Sequence, residues 1–346
     1  MHMADALVST AVGGTMLAVS AGMAGYSVKR IHRDFDDKKI PLMGVMGAFV
    51  FTAQMINFTI PGTGSSGHIG GGLLLAVLLG PEAAFLCMSS ILLIQALFFA
   101  DGGLLALGCN IFNMGFYACF IAYPLIYKKL AGSKPSPKRI FTGSILASVV
   151  GLQLGAFSVV IETLASGISE LPFGTFVLLM QPIHLAIGVV EGIITGAVIT
   201  FVWKARPELL ERAGQGKSFS GISTKKVIAG FVAAAVVVGG CLSWFASAYP
   251  DGLEWSMFKT AGTTELENSE GVHQALSGFQ EKTSILPDYS FKASQDEEGS
   301  WPAVSAGTSF SGIVGGAMTL LLAGGIGGGI YLVKRKNKKK TINSES

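Results

Sequence analysis

The sequence predicts an all-α polytopic integral membrane protein: a seven-helix bundle with one short or broken helix, followed by a two-helix unit. Three observations predict it. Half of the 346 residues are hydrophobic and only 14% are charged, with a mean hydropathy of +0.55; ordinary soluble domains carry about 25% charge. Apolar runs of about 20 residues, the length that crosses a bilayer, recur along the chain. Glycine is abundant, at 46 residues, as expected where membrane helices pack through small side chains.

Taken in order, apolar runs between breakers place helices near 6–28, 40–60, 70–80, 82–100, 104–127, 139–165, 174–203, 226–248 and 311–333. The third is too short to span. It is expected beside the loop 61–72 as a half-depth helix, because irregular backbone survives at membrane depth only where protein buries it or it lines a cavity. The charge "KRIHRDFDDKK" (29–39) follows the first apolar run instead of preceding it, so that run is expected to remain as a helix and not to be cleaved as a signal peptide. With the N-terminus outside, the inner loops 29–39, 128–139, 204–226 and the tail from 334 hold 22 of the 25 Lys and Arg. This matches the positive-inside rule and puts Met1, His2 and the loop holding His68 on the outer face, with the C-terminus cytoplasmic.

Composition divides the chain into residues 1–205, a polar basic linker 206–225, and a second unit 226–340. Its outer loop 250–310 carries ten Asp/Glu against three Lys, and the stretch 261–300 is expected to be partly flexible. The four cysteines, Cys87, Cys109, Cys119 and Cys241, lie in apolar segments without a C-x-x-C pair; they read as small membrane residues, not as disulfides or a zinc site.

His2 is the residue with the most distinctive chemistry. When histidine follows the N-terminal residue, the terminal amine, the deprotonated amide of His2 and its Nδ1 can grip one metal ion in fused five- and six-membered rings. A fourth nitrogen would complete a square. Square-planar nitrogen suits Ni(II), Cu(II) or low-spin Co(II); Zn(II) prefers a tetrahedron, and Mg²⁺ and Ca²⁺ prefer oxygen. The stretch "PGTGSSGHIGGG" (61–72) surrounds His68 with small residues, which let a backbone fold back sharply and could bring that imidazole to the same ion. Gln54, Asn57, Thr59 and Ser66 could hold the imidazoles from behind or bond between helices. His184, in "HLAIGVVEG", is an ionisable group at membrane depth that could gate the site or simply pack. Glu82, Glu162 and Glu191 stand alone in or beside helices, with Glu82 and Glu191 expected toward the inner side. No P-loop, H-E-x-x-H or G-x-S-x-G occurs, so ATP hydrolysis and peptidase or esterase chemistry lack their motifs.

The stretches "MHMADAL", "FVFTAQMINFTIPGTGSSGHIGGGLLLAVLLGPEAAF" (49–85) and "HLAIGVVEGIIT" (184–195) resemble the CbiM/NikM family, the substrate-binding components of energy-coupling-factor importers for cobalt and nickel. "YPDGLEWS" (249–256) is similar to the PDGLE signature of the small CbiN/NikN partner. The resemblance implies a fused chain that is not an enzyme and takes Ni²⁺ or Co²⁺ as cargo through Met1, His2 and His68. It also implies a transmembrane coupling protein and two cytoplasmic ATPases as partners in a prokaryotic plasma membrane, and no nucleic acid. Ala6 stands where many members have Gly. From the residues alone a second reading stays open: a stand-alone secondary transporter or channel with Glu82, Glu191 and His184 along its path. The outer loop is expected to approach residues 1–7 and 61–72.

Overall fold

The protein is seen here as a computed structural model, which describes residues 2–345 apart from 35, 37, 133–134, 170, 216, 220, 222, 265, 267–270 and 292–301. Its helices are α1 (Thr10–Asp34), α2 (Lys39–Gln54), α3 (Gly72–Leu79), α4 (Pro81–Phe98), α5 (Leu107–Leu130), α6 (Pro137–Ser166), α7 (Phe173–Ala205), α8 (Pro207–Gly214), α9 (Lys225–Gly240), α10 (Gly252–Ala261), α11 (Gly271–Thr283) and α12 (Ala306–Glu345). Among the described residues, α1, α4, α5, α6, α7 and α12 are long and apolar enough to span a bilayer. The protein is a multi-pass membrane protein.

The helix-rich prediction holds, with local differences that have physical causes. α2 stops at Gln54, not near residue 60, because the following segment turns into a hairpin: strand β1 (Phe58–Ile60) pairs antiparallel with β2 (Ser65–Gly67). α1 begins at Thr10, and residues Asp5–Leu7 form a single tight turn instead. α9 ends at Gly240 where the chain tightens into a 3-10 turn at Leu242–Phe245. Over Phe112–Tyr127, a stretch containing Pro124, α5 widens into π-helical turns, a form that relieves a broken hydrogen-bond ladder. Helices α10 and α11 occupy the segment expected as a polar loop; the acidic stretch 292–300 lies outside the described residues.

α3 is short, as expected, and every one of its residues is buried. It sits among α2, α4 and α5, so an apolar helix without a polar face is explained by burial on all sides. α6 and α7 pack along their lengths as a hairpin. The C-terminal helices α9 and α12 clasp α2, meeting one another at Gly239 and Gly312, where no Cβ could be accommodated. Cys87, Cys109 and Cys119 are buried and unpaired, and Cys241 is exposed and unpaired. The hairpin, the first residues of the chain, the segment after α4 and helices α10 and α11 gather at one end of the bundle.

Candidate metal centre

The site is built by backbone that has left its helices. Met3 N donates to Asn110 Oδ1 at 2.7 Å, while Asn110 Nδ2 and Gly103 N donate to the Met3 carbonyl at 3.1 and 2.9 Å. Asp5 Oδ1 accepts from Leu105 N and Ala106 N at 2.7 and 3.0 Å. These bonds hold the N-terminal segment on the connection between α4 and α5 and so place the His2 backbone. Met1, the first of the expected ligands, lies outside the described residues.

The second wall is the glycine loop. After β2 the chain passes His68 and reaches Gly70 and Gly71, whose amides donate to Glu191 Oε2 and Oε1 at 3.0 and 3.1 Å. Glycine is required here: Gly71 has φ +76, and a Cβ would lie 2.5 Å from Val50 Cγ1. At Gly67 a Cβ would lie 2.5 Å from Ile187 Cγ1. The loop is therefore pressed onto α2 and α7. Glu191, expected toward the inner side, instead sits beneath His68 and anchors its loop.

The result is that His2 and His68, 66 residues apart in sequence, stack with ring centroids 5.1 Å apart and planes at 20°. His68 Nδ1 lies 3.1 Å from the Ile69 carbonyl. A carbonyl only accepts, so Nδ1 carries the proton and Nε2 keeps its lone pair. Burial pushes the His68 imidazole down to about 3. Burial also lowers His2, and Asp101 acts in the opposite direction. Both effects of burial favour neutral rings able to donate lone pairs. Among the described residues no three His, Cys, Asp or Glu side chains gather as a metal cluster. The side chains brought together here are the two imidazoles, with Asp101 beside His2.

The expected supporting residues divide. Gln54 belongs to the site: its Nε2 donates to the Gly70 carbonyl at 2.8 Å and its Oε1 accepts from Gln95 Nε2 at 2.9 Å. Gln95 Oε1 is 3.2 Å from His2 Nε2. Asn57, Thr59 and Ser66 bond to the C-terminal segment and not to an imidazole. The Asn57 carbonyl accepts from Ser247 N at 2.7 Å, Thr59 Oγ1 donates to Ser247 Oγ at 2.9 Å, and Ser66 Oγ donates to the Tyr249 carbonyl at 2.7 Å. His184 is buried, and its Nδ1 donates to Met180 O at 2.8 Å; it lines a narrow cavity of about 30 Å³ with His68, Asn113, Glu191 and Asp251. On the other side His2 and His68 border a wide open cleft shared with Asp101 and Glu254.

The C-terminal segment closes over this place. Ser66 N donates to the Pro250 carbonyl at 2.8 Å, Trp255 Nε1 to Thr63 O at 3.0 Å, and His273 Nε2 lies 2.9 Å from Val8 O. The motif P-D-G-L-E is the start of α10. Asp251 accepts from Leu253 N and Glu254 N, and Glu254 Oε2 accepts from Asp251 N. This is a capping box, in a segment expected as a polar loop. Gly252 packs directly on His184 and Ile187. Sequence reasoning missed Gln95, Asp101 and Asn110. Gln95, a polar residue in the apolar run of α4, carried a usable signal; Asp101 and Asn110 gain meaning only from their distance to His2 and Met3.

Comparison with known proteins gives consistent findings. The family described as the cobalt uptake substrate-specific transmembrane region matches residues 2–209, and the PDGLE domain matches residues 225–333. A putative fused nickel transport protein, NikMN, of Archaeoglobus fulgidus is 32% identical over 331 residues, covering 93% of this chain and 96% of that one. The fused nickel transport protein NikMN of Rhodobacter capsulatus is 32% identical over 225 residues, covering 61% of this chain and 64% of that one. A crystal structure of a transition metal transporter superposes with a TM-score of 0.53 at 32% identity, covering 61% of this chain and 97% of that one.

Proposed function

From the premise that this chain belongs to the cobalt uptake substrate-specific transmembrane family and continues into a PDGLE domain, we propose that it captures Ni²⁺ or Co²⁺ in a planar nitrogen site and passes the ion inward. In this reading it is the substrate-specific component of an ATP-driven energy-coupling-factor importer. Metal transport itself follows from the family; the ligand set, the direction and the partners are the proposal. Residues 1–205 form the binding unit, 206–225 the linker, and 226–340 the unit that covers the site, with the N-terminus outside and the C-terminus cytoplasmic. A transmembrane coupling protein and two cytoplasmic ATPases would supply the energy.

The observation that carries this reading is the stacking of His2 on His68. His2 lies one peptide bond from the chain's first amine, so covalent geometry alone gives the amine, the His2 amide and the His2 imidazole a shared reach. His68 supplies the fourth nitrogen. A planar set of four nitrogens suits Ni(II) and low-spin Co(II). Protons compete for the amine and the imidazoles, so binding weakens in acid.

The alternative of a stand-alone carrier has less support. Glu191 is committed to the Gly70 and Gly71 amides. Glu82 starts α4 at the opposite end of the bundle, 3.9 Å from Arg30, so Glu82, Glu191 and His184 do not share one path.

The test is metal content and visible absorption of the full chain with an unmodified N-terminus, loaded with Ni²⁺. Expected are about one equivalent and a planar Ni(II) band, both lost in His2→Ala and in His68→Ala. An added N-terminal residue should abolish high-affinity binding. An extended chain that binds like the native one would remove the amine from the ligand set.

A further inference from the structure

The hydrogen bonds behind His2 have only one consistent direction. The Gly70 carbonyl can only accept, so Gln54 must turn its Nε2 toward it, at 2.8 Å. That leaves Gln54 Oε1 to accept from Gln95 Nε2 at 2.9 Å. The second hydrogen of Gln95 Nε2 goes to the hydroxyl of Tyr289, at 3.1 Å. With both amide hydrogens committed, Gln95 Oε1 faces His2 Nε2 at 3.2 Å and requires a proton there. The Tyr289 hydroxyl donates its own hydrogen to Asp101 Oδ2 at 2.5 Å. The other carboxylate oxygen, Oδ1, lies 3.2 Å from His2 Nδ1. The Asp101 carboxylate thus lies on the Nδ1 side of the ring, where it would balance the charge of a cargo cation.

We propose that the Tyr289 hydroxyl, contributed by the C-terminal segment, is a positioning group of the metal site that fixes the Gln95 amide so that His2 keeps its proton on Nε2 and offers Nδ1 to the cargo ion. This rests on the ligand set proposed above. Nδ1 is the nitrogen that closes a six-membered ring with the His2 amide; a ring protonated on Nδ1 cannot chelate. Which nitrogen of a histidine is free is set by the bond that the other one makes. Without the hydroxyl, Gln95 loses one of the two acceptors that define its orientation.

An independent observation points to the same place. Among the described residues, the non-glycine positions with positive φ are Ala100 (54°), Asp288 (48°) and Tyr289 (58°). All three lie where the segment after α4 meets the segment after α11. They are held by Leu286 N donating to Phe98 O at 3.2 Å and Asp288 N to Phe99 O at 2.9 Å. The Tyr289 ring stacks on Phe99 at 5.0 Å and meets Phe51 edge-on at 6.1 Å. Left-handed backbone at a residue with a side chain costs on the order of 1–2 kcal/mol, and such strain collects where function needs a fixed geometry. Here it delivers one hydroxyl to two partners of His2.

The experiment is Ni²⁺ titration with visible absorption on the full chain with a native N-terminus, for the wild type, Tyr289→Phe, Gln95→Ala and the double variant. Tyr289→Phe keeps the ring and its stacking and removes only the hydroxyl. The expected result is about tenfold weaker binding, a weaker planar band at equal metal, and no further loss when Tyr289→Phe is added to Gln95→Ala. A merely structural tyrosine would leave the band shape unchanged and its loss would multiply with that of Gln95. Wild-type affinity and spectrum in Tyr289→Phe, or independent losses in the double variant, would overturn this inference alone. A wild type without the planar band would overturn the ligand set and this inference with it.

Discussion

Gly71→Ala and Gly62→Ala make a controlled pair. Both glycines have φ +76, so both variants force alanine into left-handed backbone, at a cost of about 1–2 kcal/mol. Their surroundings differ. A Cβ at Gly62 meets nothing within 4 Å, whereas at Gly71 it lies 2.5 Å from Val50 Cγ1 and 3.2 Å from Cγ2. Carbon atoms rest at about 3.5–4.0 Å, so α2 and the loop must separate by roughly 1 Å, and overpacking of that kind costs about 1–3 kcal/mol more. Gly71→Ala should therefore destabilise by about 2–5 kcal/mol and Gly62→Ala by about 1–2 kcal/mol. The separation also pulls the Gly71 amide from Glu191 Oε1 and shifts His68, so only Gly71→Ala should weaken metal binding as well. Thermal unfolding in detergent and Ni²⁺ titration read the two effects. Val50→Ala should restore part of the loss in Gly71→Ala but none in Gly62→Ala. Equal losses in the two single variants, or no rescue by Val50→Ala, would refute the argument from close approach.

Two further predictions concern the ends that hold the site. Asp5→Asn keeps a carbonyl oxygen for Leu105 N and Ala106 N and should fold and bind metal, whereas Asp5→Ala leaves two amides without an acceptor and should cost about 1–3 kcal/mol. Burial raises the Asp5 carboxyl above its ordinary value, so the fold favours its protonated form. The stability this contributes is present in acid and is lost as pH rises past the ordinary carboxylate range. Asp5→Asn should remove that part of the pH dependence of unfolding, and an unchanged pH profile would refute it. Trp255→Phe removes the Nε1 bond to Thr63 O at 3.0 Å, worth about 1 kcal/mol. It should raise hydrogen exchange at residues 61–67, where unchanged protection would show that Trp255 does not clamp the hairpin.

The sequence by itself determined the membrane class, the short third helix, and the two histidines that define the candidate site. These are local properties. Apolar runs set helix length, the inner helix α3 is uniformly apolar because all its faces are buried, and the chelating power of an X-His terminus depends on covalent bonds alone. The capping box of α10 was not read from the sequence, where its D-x-x-E spacing lay inside a segment expected as a polar loop. The end of α2 at Gln54 was not either, because "MINFTI" is apolar enough to continue a helix and leaves it only through pairing of Phe58–Ile60 with Ser65–Gly67. Nor was the position of Glu191. Its helix is plain in the sequence, but the two glycine amides it holds lie about 120 residues away. The tertiary structure alone decided that Asn57, Thr59 and Ser66 serve the contact with residues 247–250, and that Gln95 and Asp101 face His2 with the Tyr289 hydroxyl bonded to both. Hydrogen bonds are directional and short-ranged, so a polar side chain's role is set by the few ångströms around it, and residues distant in sequence supply those surroundings.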